Sequence, residues 1–223
     1  MTPSKCHINT KAVAAAVTGA RHLRLGRNGQ DAAGAWVGAG AGAVVVCDGC
    51  GAGASSEVGA RLGVRLVLAA LEARLVRGAS PADATVWAEV RAEVGAALAQ
   101  ILALLGPPAA RAALVHEHLL FTIVAAAVRG DALAVWTVGD GGFAFGADAP
   151  GPATVRGPFA DNQPPYLAYD LVDRPAAAAL VTADLPRGVV VVATDGVAEV
   201  GLAAAPRRAA RCSPTPGSST ATC

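Results

Sequence analysis

Two runs of valine end in the same dipeptide. Val44-Val45-Val46-Cys47 leads into Asp48-Gly49, and Val189-Val190-Val191-Val192-Ala193-Thr194 leads into Asp195-Gly196. A short β-branched run bounded by turn residues reads as a buried strand. An aspartate at its tip puts a carboxylate at a strand end, and the glycine after it leaves the next carbonyl uncrowded. Two such tips brought together make an oxygen-rich site for a hard divalent cation, Mg²⁺ or Mn²⁺. A fold for this chain must therefore bring strands far apart in sequence to one edge.

Between and around these runs the pattern is strands, two helices, then strands. Residues 12–18 predict a strand, and 34–47 a hairpin turning through Gly38-Ala39-Gly40-Ala41-Gly42. That glycine run is a turn and not a phosphate-binding loop, because no Lys-Ser/Thr follows it. A first helix is expected from about Ser56 to Arg77, with Val58, Leu62, Leu66, Ala69, Ala73 and Val76 on its buried face and Gly78 ending it. A second begins at Ser80-Pro81-Ala82-Asp83 and runs to about Leu105, burying Val86, Val90, Val94, Leu98, Ile101 and Leu105 before Gly106-Pro107-Pro108. Strands follow at 119–128, 132–138, 143–145 and 189–194, with 147–187 irregular and rich in proline. This order is α+β and lacks the strict alternation of a doubly wound sheet.

Composition narrows the function. The chain has 223 residues, 53% hydrophobic and 16% charged, which is globular and not disordered. A net charge of +1 gives no field to hold nucleic acid or an anionic membrane. Cysteines stand at 6, 47, 50, 212 and 223, an odd number that makes no disulfide framework and predicts a reducing, cytoplasmic setting. Lys5 and Lys11 flank Ala12 to Val17, but that stretch is too short and weakly apolar for a signal peptide. No run reaches the roughly 18 apolar residues of a membrane span.

Four acidic elements lie at strand ends or loops: Asn28-Gly29-Gln30-Asp31, Asp48-Gly49, Gly139-Asp140-Gly141 and Asp195-Gly196. Asp-Gly alone is more often a turn than a ligand; four such elements, each beside an apolar strand, argue for a site. Together they resemble the PPM-type, or type 2C, metal-dependent serine/threonine protein phosphatases. Arg27-Asn28-Gly29-Gln30-Asp31-Ala32 is similar to that family's N-terminal Arg…Asn-Gln/Glu-Asp element. Asp48-Gly49-Cys50-Gly51-Ala52-Gly53 resembles Asp-Gly-x-Gly-Gly, and Ser56-Glu57-Val58-Gly59-Ala60 opens the helix after it. Phe121-Thr122-Ile123-Val124 with Val138-Gly139-Asp140-Gly141 resembles Thr-x-x…Val-Gly-Asp-Ser, and Ala193-Thr194-Asp195-Gly196-Val197 the Ala-Ser/Thr-Asp-Gly-Leu/Val element. The five pieces occur in the family's order over about residues 12–200.

The resemblance implies a central antiparallel β-sandwich flanked by antiparallel helices, in four layers α-β-β-α. It implies a bacterial signalling enzyme that removes phosphate from phosphoserine or phosphothreonine on proteins, with a partner serine/threonine kinase. It implies two ions, Mg²⁺ or Mn²⁺, and a third, weaker site. Asp48 would bridge the ions, the Gly49 carbonyl complete one, Asp195 hold the other, Asp31 orient water and Asp140 serve the third. Arg27 would bind the substrate phosphate, with Arg24 as fallback. The ions would activate a water for in-line attack and neutralise the phosphoryl oxygens.

The chain departs from the family pattern in places. Cys50 stands where some members carry a histidine that protonates the leaving oxygen. Cys47 and Cys50 form a C-x-x-C whose usual partners are missing, so a redox or zinc reading is the weaker one. His116 and His118 have no identifiable partner. The family's later Asp-Asp/Asn-x-Thr element is not found, since no aspartate follows Asp195. Residues 206–223 contain three arginines and no acid and read as a disordered tail after a domain at 1–205. The expectation is a truncation or frame change near residue 201, with last strands missing and activity impaired; the alternative is a non-catalytic phosphatase-like binding domain.

Overall fold

The computed structural model describes residues 10–151, 154–156, 159, 163–172, 174–185 and 188–198. The expected tail and the expected break near residue 201 lie outside the described residues. A short helix, α1 (Ala20–Arg24), precedes strands β1 (Asp31–Gly38) and β2 (Ala41–Asp48). Helices α2 (Ser56–Val76) and α3 (Ala84–Leu105) come next. A short helix α4 (Arg111–Leu114) runs into a π-helical turn, Val115–Leu119. Strands β3 (Ile123–Arg129), β4 (Ala132–Val138), β5 (Gly141–Gly146), β6 (Thr154–Arg156), β7 (Ala178–Asp184) and β8 (Val189–Ala193) complete two sheets, and a last turn of helix, α5 (Asp195–Ala198), follows β8.

One sheet has the order β1-β2-β3-β4-β7 and the other β6-β5-β8, with every pairing antiparallel. Strand alternation gives the larger sheet two different faces. Val45, Cys47, Ile123, Ala125 and Trp136 face a core shared with α2 and α3. Val44, Val46, Val124, Ala126 and Val135 face the smaller sheet, where Phe143, Val190 and Val192 meet them. The fold is thus α+β, a face-to-face pair of antiparallel sheets with an antiparallel helix pair outside. The described residues supply three of the four expected layers.

β1 and β2 form a hairpin in full register from Gly38↔Ala41 to Asp31↔Asp48. Its two turn residues, Ala39 (φ 51°) and Gly40 (φ 68°), both have positive φ, the turn that matches strand twist. Helix α3 is capped by Asp83, whose carboxylate accepts from the Thr85 N–H at 2.9 Å, so it begins at Ala84 and not at Ser80-Pro81. Trp87 fastens it: the indole donates to the Pro81 carbonyl at 2.8 Å and packs on Trp136 of β4.

Several expectations need correction. Residues 12–18 form no strand; Val13 and Val17 are 89% and 82% exposed, because no neighbouring strand among the described residues lies beside them. The face assigned to α2 is rotated. Val58 and Val76 are exposed, while Gly59, Ala60, Gly63, Val64, Val67, Leu71 and Leu75 are buried. The cause is close packing: Gly59 and Gly63 abut Phe121, and small residues let the helix settle on its least bulky side. On α3, Trp87 and Leu102 are buried in place of Ile101 and Leu105. The strand expected from Leu119 starts at Ile123, since the π-turn takes up Leu119. Within 147–187, expected to be irregular, β6, β7 and a 3₁₀ helix at Leu167–Val172 are ordered elements.

Among the described residues no single helix is long and apolar enough to cross a membrane.

Candidate metal centre

Strand register brings the first two acids together. Asp31 opens β1 and Asp48 closes β2, and they are directly opposed, which sets their Cβ atoms about 4.5–5.5 Å apart. Both lie on the face that Val44 and Val46 turn to the smaller sheet. Asp140 sits in the connection that carries the chain from β4 to β5, between Gly139 (φ 91°) and Gly141 (φ 108°). Left-handed backbone on both sides lets the chain cross between sheets in three residues. Gly142↔Ala193 pairing then puts the end of β8, and Asp195 just after it, beside that crossing. Four carboxyls, two from each sheet's margin, meet at one end of the sandwich.

Their electrostatics record the convergence. Asp48 is pushed up from 3.8 to about 8, first by burial, then by the charges of Asp31 and Asp195, a hydrogen bond with Asp195, and the charge of Asp140. Asp31 is raised by burial and by Asp195, opposed by a hydrogen bond from Thr194 and by His22. Asp140 is raised by burial and by Asp195. Like charges confined together hold on to protons when nothing else neutralises them. Among the described residues no three acidic, histidine or cysteine side chains already close on a common point as a ligand set; Asp48 and Asp195 are instead joined by a hydrogen bond.

The turn after Asp48 is clamped on both sides. The Asp48 carbonyl accepts from Thr122 N–H at 2.8 Å, and the Leu120 carbonyl accepts from Cys50 N–H at 2.8 Å. The Gln30 carbonyl accepts from Gly49 N–H at 3.2 Å, while the Gln30 amide donates to the Ser56 hydroxyl at 2.9 Å and the Cys50 carbonyl at 3.3 Å. Ser56 is fully buried, and a Cβ on Gly49 would lie 2.8 Å from its backbone carbon and oxygen. Gly49 is required by this approach. Opposite, buried Tyr166 sets its hydroxyl against the Cys50 thiol; burial and Cys50 push its pKa up, so it stays protonated.

The sequence profile of the protein phosphatase 2C family matches residues 18–213. The chain belongs to the protein phosphatase 2C family. Two phosphatases are among the solved structures that share its fold. One is the serine/threonine phosphatase of S. agalactiae, with 14% identity over 77% of this chain and 75% of that one at a TM-score of 0.50. The other is a bacterial serine phosphatase bearing an arginine-to-glutamate mutation, with 16% identity over 77% and 72% at 0.51. No curated protein sequence matches the chain.

Within this protein phosphatase 2C chain, Asp31, Asp48, Asp140 and Asp195 are brought together, and Gly49 lies at the same edge. Arg27 is exposed, and its charge is not among those acting on the acids; Arg24 is exposed as well. Cys47 is buried on the helix side of β2, where burial and Asp48 push its thiol up, and both Cys47 and Cys50 are free. His118 pairs with its neighbour Glu117, at 3.6 Å. Two groups escape sequence reasoning: His22 and Tyr166. Thr194 is legible as the residue between strand and Asp195; His22 and Tyr166 reach the site only through tertiary placement.

Proposed function

We propose that this chain hydrolyses phosphoserine and phosphothreonine esters on proteins, using two divalent ions, Mg²⁺ or Mn²⁺, at the acid cluster. The observation that carries the reading is the convergence on Asp48 of three further carboxyls from distant parts of the chain. The donor set fits such ions: hard oxygen ligands, excess negative charge and a glycine carbonyl next to the central acid. Asp48, Asp195 and the Gly49 carbonyl would hold the pair, with Asp31 beside them and Asp140 at a weaker third position. When bound, the ions supply an activated water and charge neutralisation on the phosphoryl group.

The chain's own residues shape the rest. Gln30 and Ser56 fix the turn that carries Asp48 and Gly49. Thr194 and His22 bias Asp31 toward its ionised form. An arginine fork matches a phosphate better than a lysine, and Arg27, in the loop before β1, is the proposed clamp. The phosphorylated protein and a partner kinase would share a cytoplasmic signalling setting.

No aspartate follows Asp195 in this sequence. We infer that fewer carboxylates compensate the ions here, so that ion binding is weak and turnover slow. Mn²⁺-dependent hydrolysis of p-nitrophenyl phosphate tests both statements. Slow turnover lost in Asp48→Asn is the expected result. Fast turnover lost in that variant refutes the weakened site, and Mn²⁺ binding by calorimetry without any turnover favours a non-catalytic binding domain.

A further inference from the structure

A cavity of about 280 Å³ lies beside β1, walled by residues 16–18, Gly29, Asp31–Ala33 and Arg61. Among the described residues β1 is the terminal strand of its sheet, and the backbone donors and acceptors of such a margin can pair with an added extended chain. Asp31 belongs to both the cavity wall and the acid cluster, so the two spaces adjoin. A peptide whose phosphorylated side chain enters the cluster would continue directly into this cavity.

Arg61 sets the cavity's chemistry. It is exposed on α2 and makes no hydrogen bond or ion pair among the described residues. Three arginines elsewhere are engaged: Arg74 with Glu89 and Glu93, Arg91 with Asp170, Arg129 with the carbonyls of Ala39 and Leu75. Glu57, one turn before Arg61, is already taken by the Asn28 amide at 3.0 Å. Arg65, also exposed and unengaged among the described residues, lies one turn on. Four helical residues rise about 6 Å and two strand residues about 6.6 Å, so the two guanidinium stems repeat at the spacing of alternate side chains in an extended peptide.

We propose that this cavity is a subsite for an acidic side chain of the phosphorylated protein, held by Arg61, with the peptide extended along the edge of β1. The proposal rests on the phosphatase reading and narrows it to substrates with a carboxylate within a few residues of the phosphorylated position. The free guanidinium attracts that carboxylate at the margin of a site whose own acids repel it.

The test uses the full chain with Mn²⁺ and labelled peptides carrying a non-hydrolysable phosphonate in place of phosphoserine. Paired peptides differ only in Glu or Lys two residues to either side, and binding is read by fluorescence anisotropy. The unaltered chain is expected to prefer Glu by up to about fivefold, the range of an exposed charge pair. Arg61→Ala should remove the preference, Arg61→Glu reverse it, and high salt flatten it. No preference in the unaltered chain, a preference that survives Arg61→Glu, or no peptide binding at all overturns the subsite. Turnover of p-nitrophenyl phosphate by the unaltered chain tests the phosphatase reading separately, since that ester has no flanking residues.

Discussion

Replacing Asp48 by asparagine should stabilise the ion-free protein, although it removes the central acid of the site. Folding raises the Asp48 pKa from 3.8 to about 8. The native state therefore binds a proton that the unfolded chain has already released. The associated stability is fully present below about pH 3.8 and is lost as pH rises through about 8. Asp31 and Asp140, both raised, act in the same direction. At about 1.4 kcal/mol per pKa unit the ceiling for Asp48 is about 6 kcal/mol. One proton shared among four acids, with solvent still reaching them, brings the expected gain to about 2–3 kcal/mol. In excess chelator at about pH 8.5, Asp48→Asn should melt about 5–10 °C above the unaltered chain, with less than half that difference near pH 5.5. Mn²⁺ at a hundredfold excess over its dissociation constant should add about 2.7 kcal/mol to the unaltered chain and little to the variant. Thermal scans and guanidinium titrations measure both effects. An ion-free protein that grows more stable between those two pH values, or a variant that melts lower in chelator at the higher one, refutes the account of mutually repelling acids.

Two other outcomes follow from the packing. Gly49→Ala forces a Cβ into the backbone of Ser56, so it should cost about 1–3 kcal/mol in denaturant titration and weaken Mn²⁺ binding in calorimetry. Arg91→Ala removes a two-toothed contact with Asp170 and a bond to the Ala176 carbonyl; a loss of about 1–2 kcal/mol and faster limited proteolysis between residues 163 and 176 are expected.

The sequence discloses most where local chemistry decides the outcome. Both ends of α2, the C-terminal end of α3, the hairpin and β4 follow from caps, glycines and apolar runs that act over a few residues. Residues 12–18 have strand composition, yet a strand exists only where a partner lies alongside, and composition carries no information on that. The buried face of α2 is obscured because glycine is silent in an apolar pattern, while Gly59 and Gly63 make its closest contacts. β7 is hidden by alanine and flanking prolines, and pairing with β4 alone makes it a strand. At the site, Asp48 and Asp195 are legible as strand tips. His22 and Tyr166 are not, because α1 and the 163–172 segment are positioned by contacts distant in sequence.

Opposed placement of Asp31 and Asp48 has a bearing on how this chain tolerates insertions. The two acids stand at the far end of an eight-rung ladder, and their facing direction depends on parity alone. One residue added to either arm would swing the acid beyond it through half a turn, into the oily layer under α2 where Cys47 now lies. Lengthening by two would restore the direction but move the carboxyl past its opposite number. The loops around the cluster can drift in length and composition; the hairpin that carries its first pair cannot.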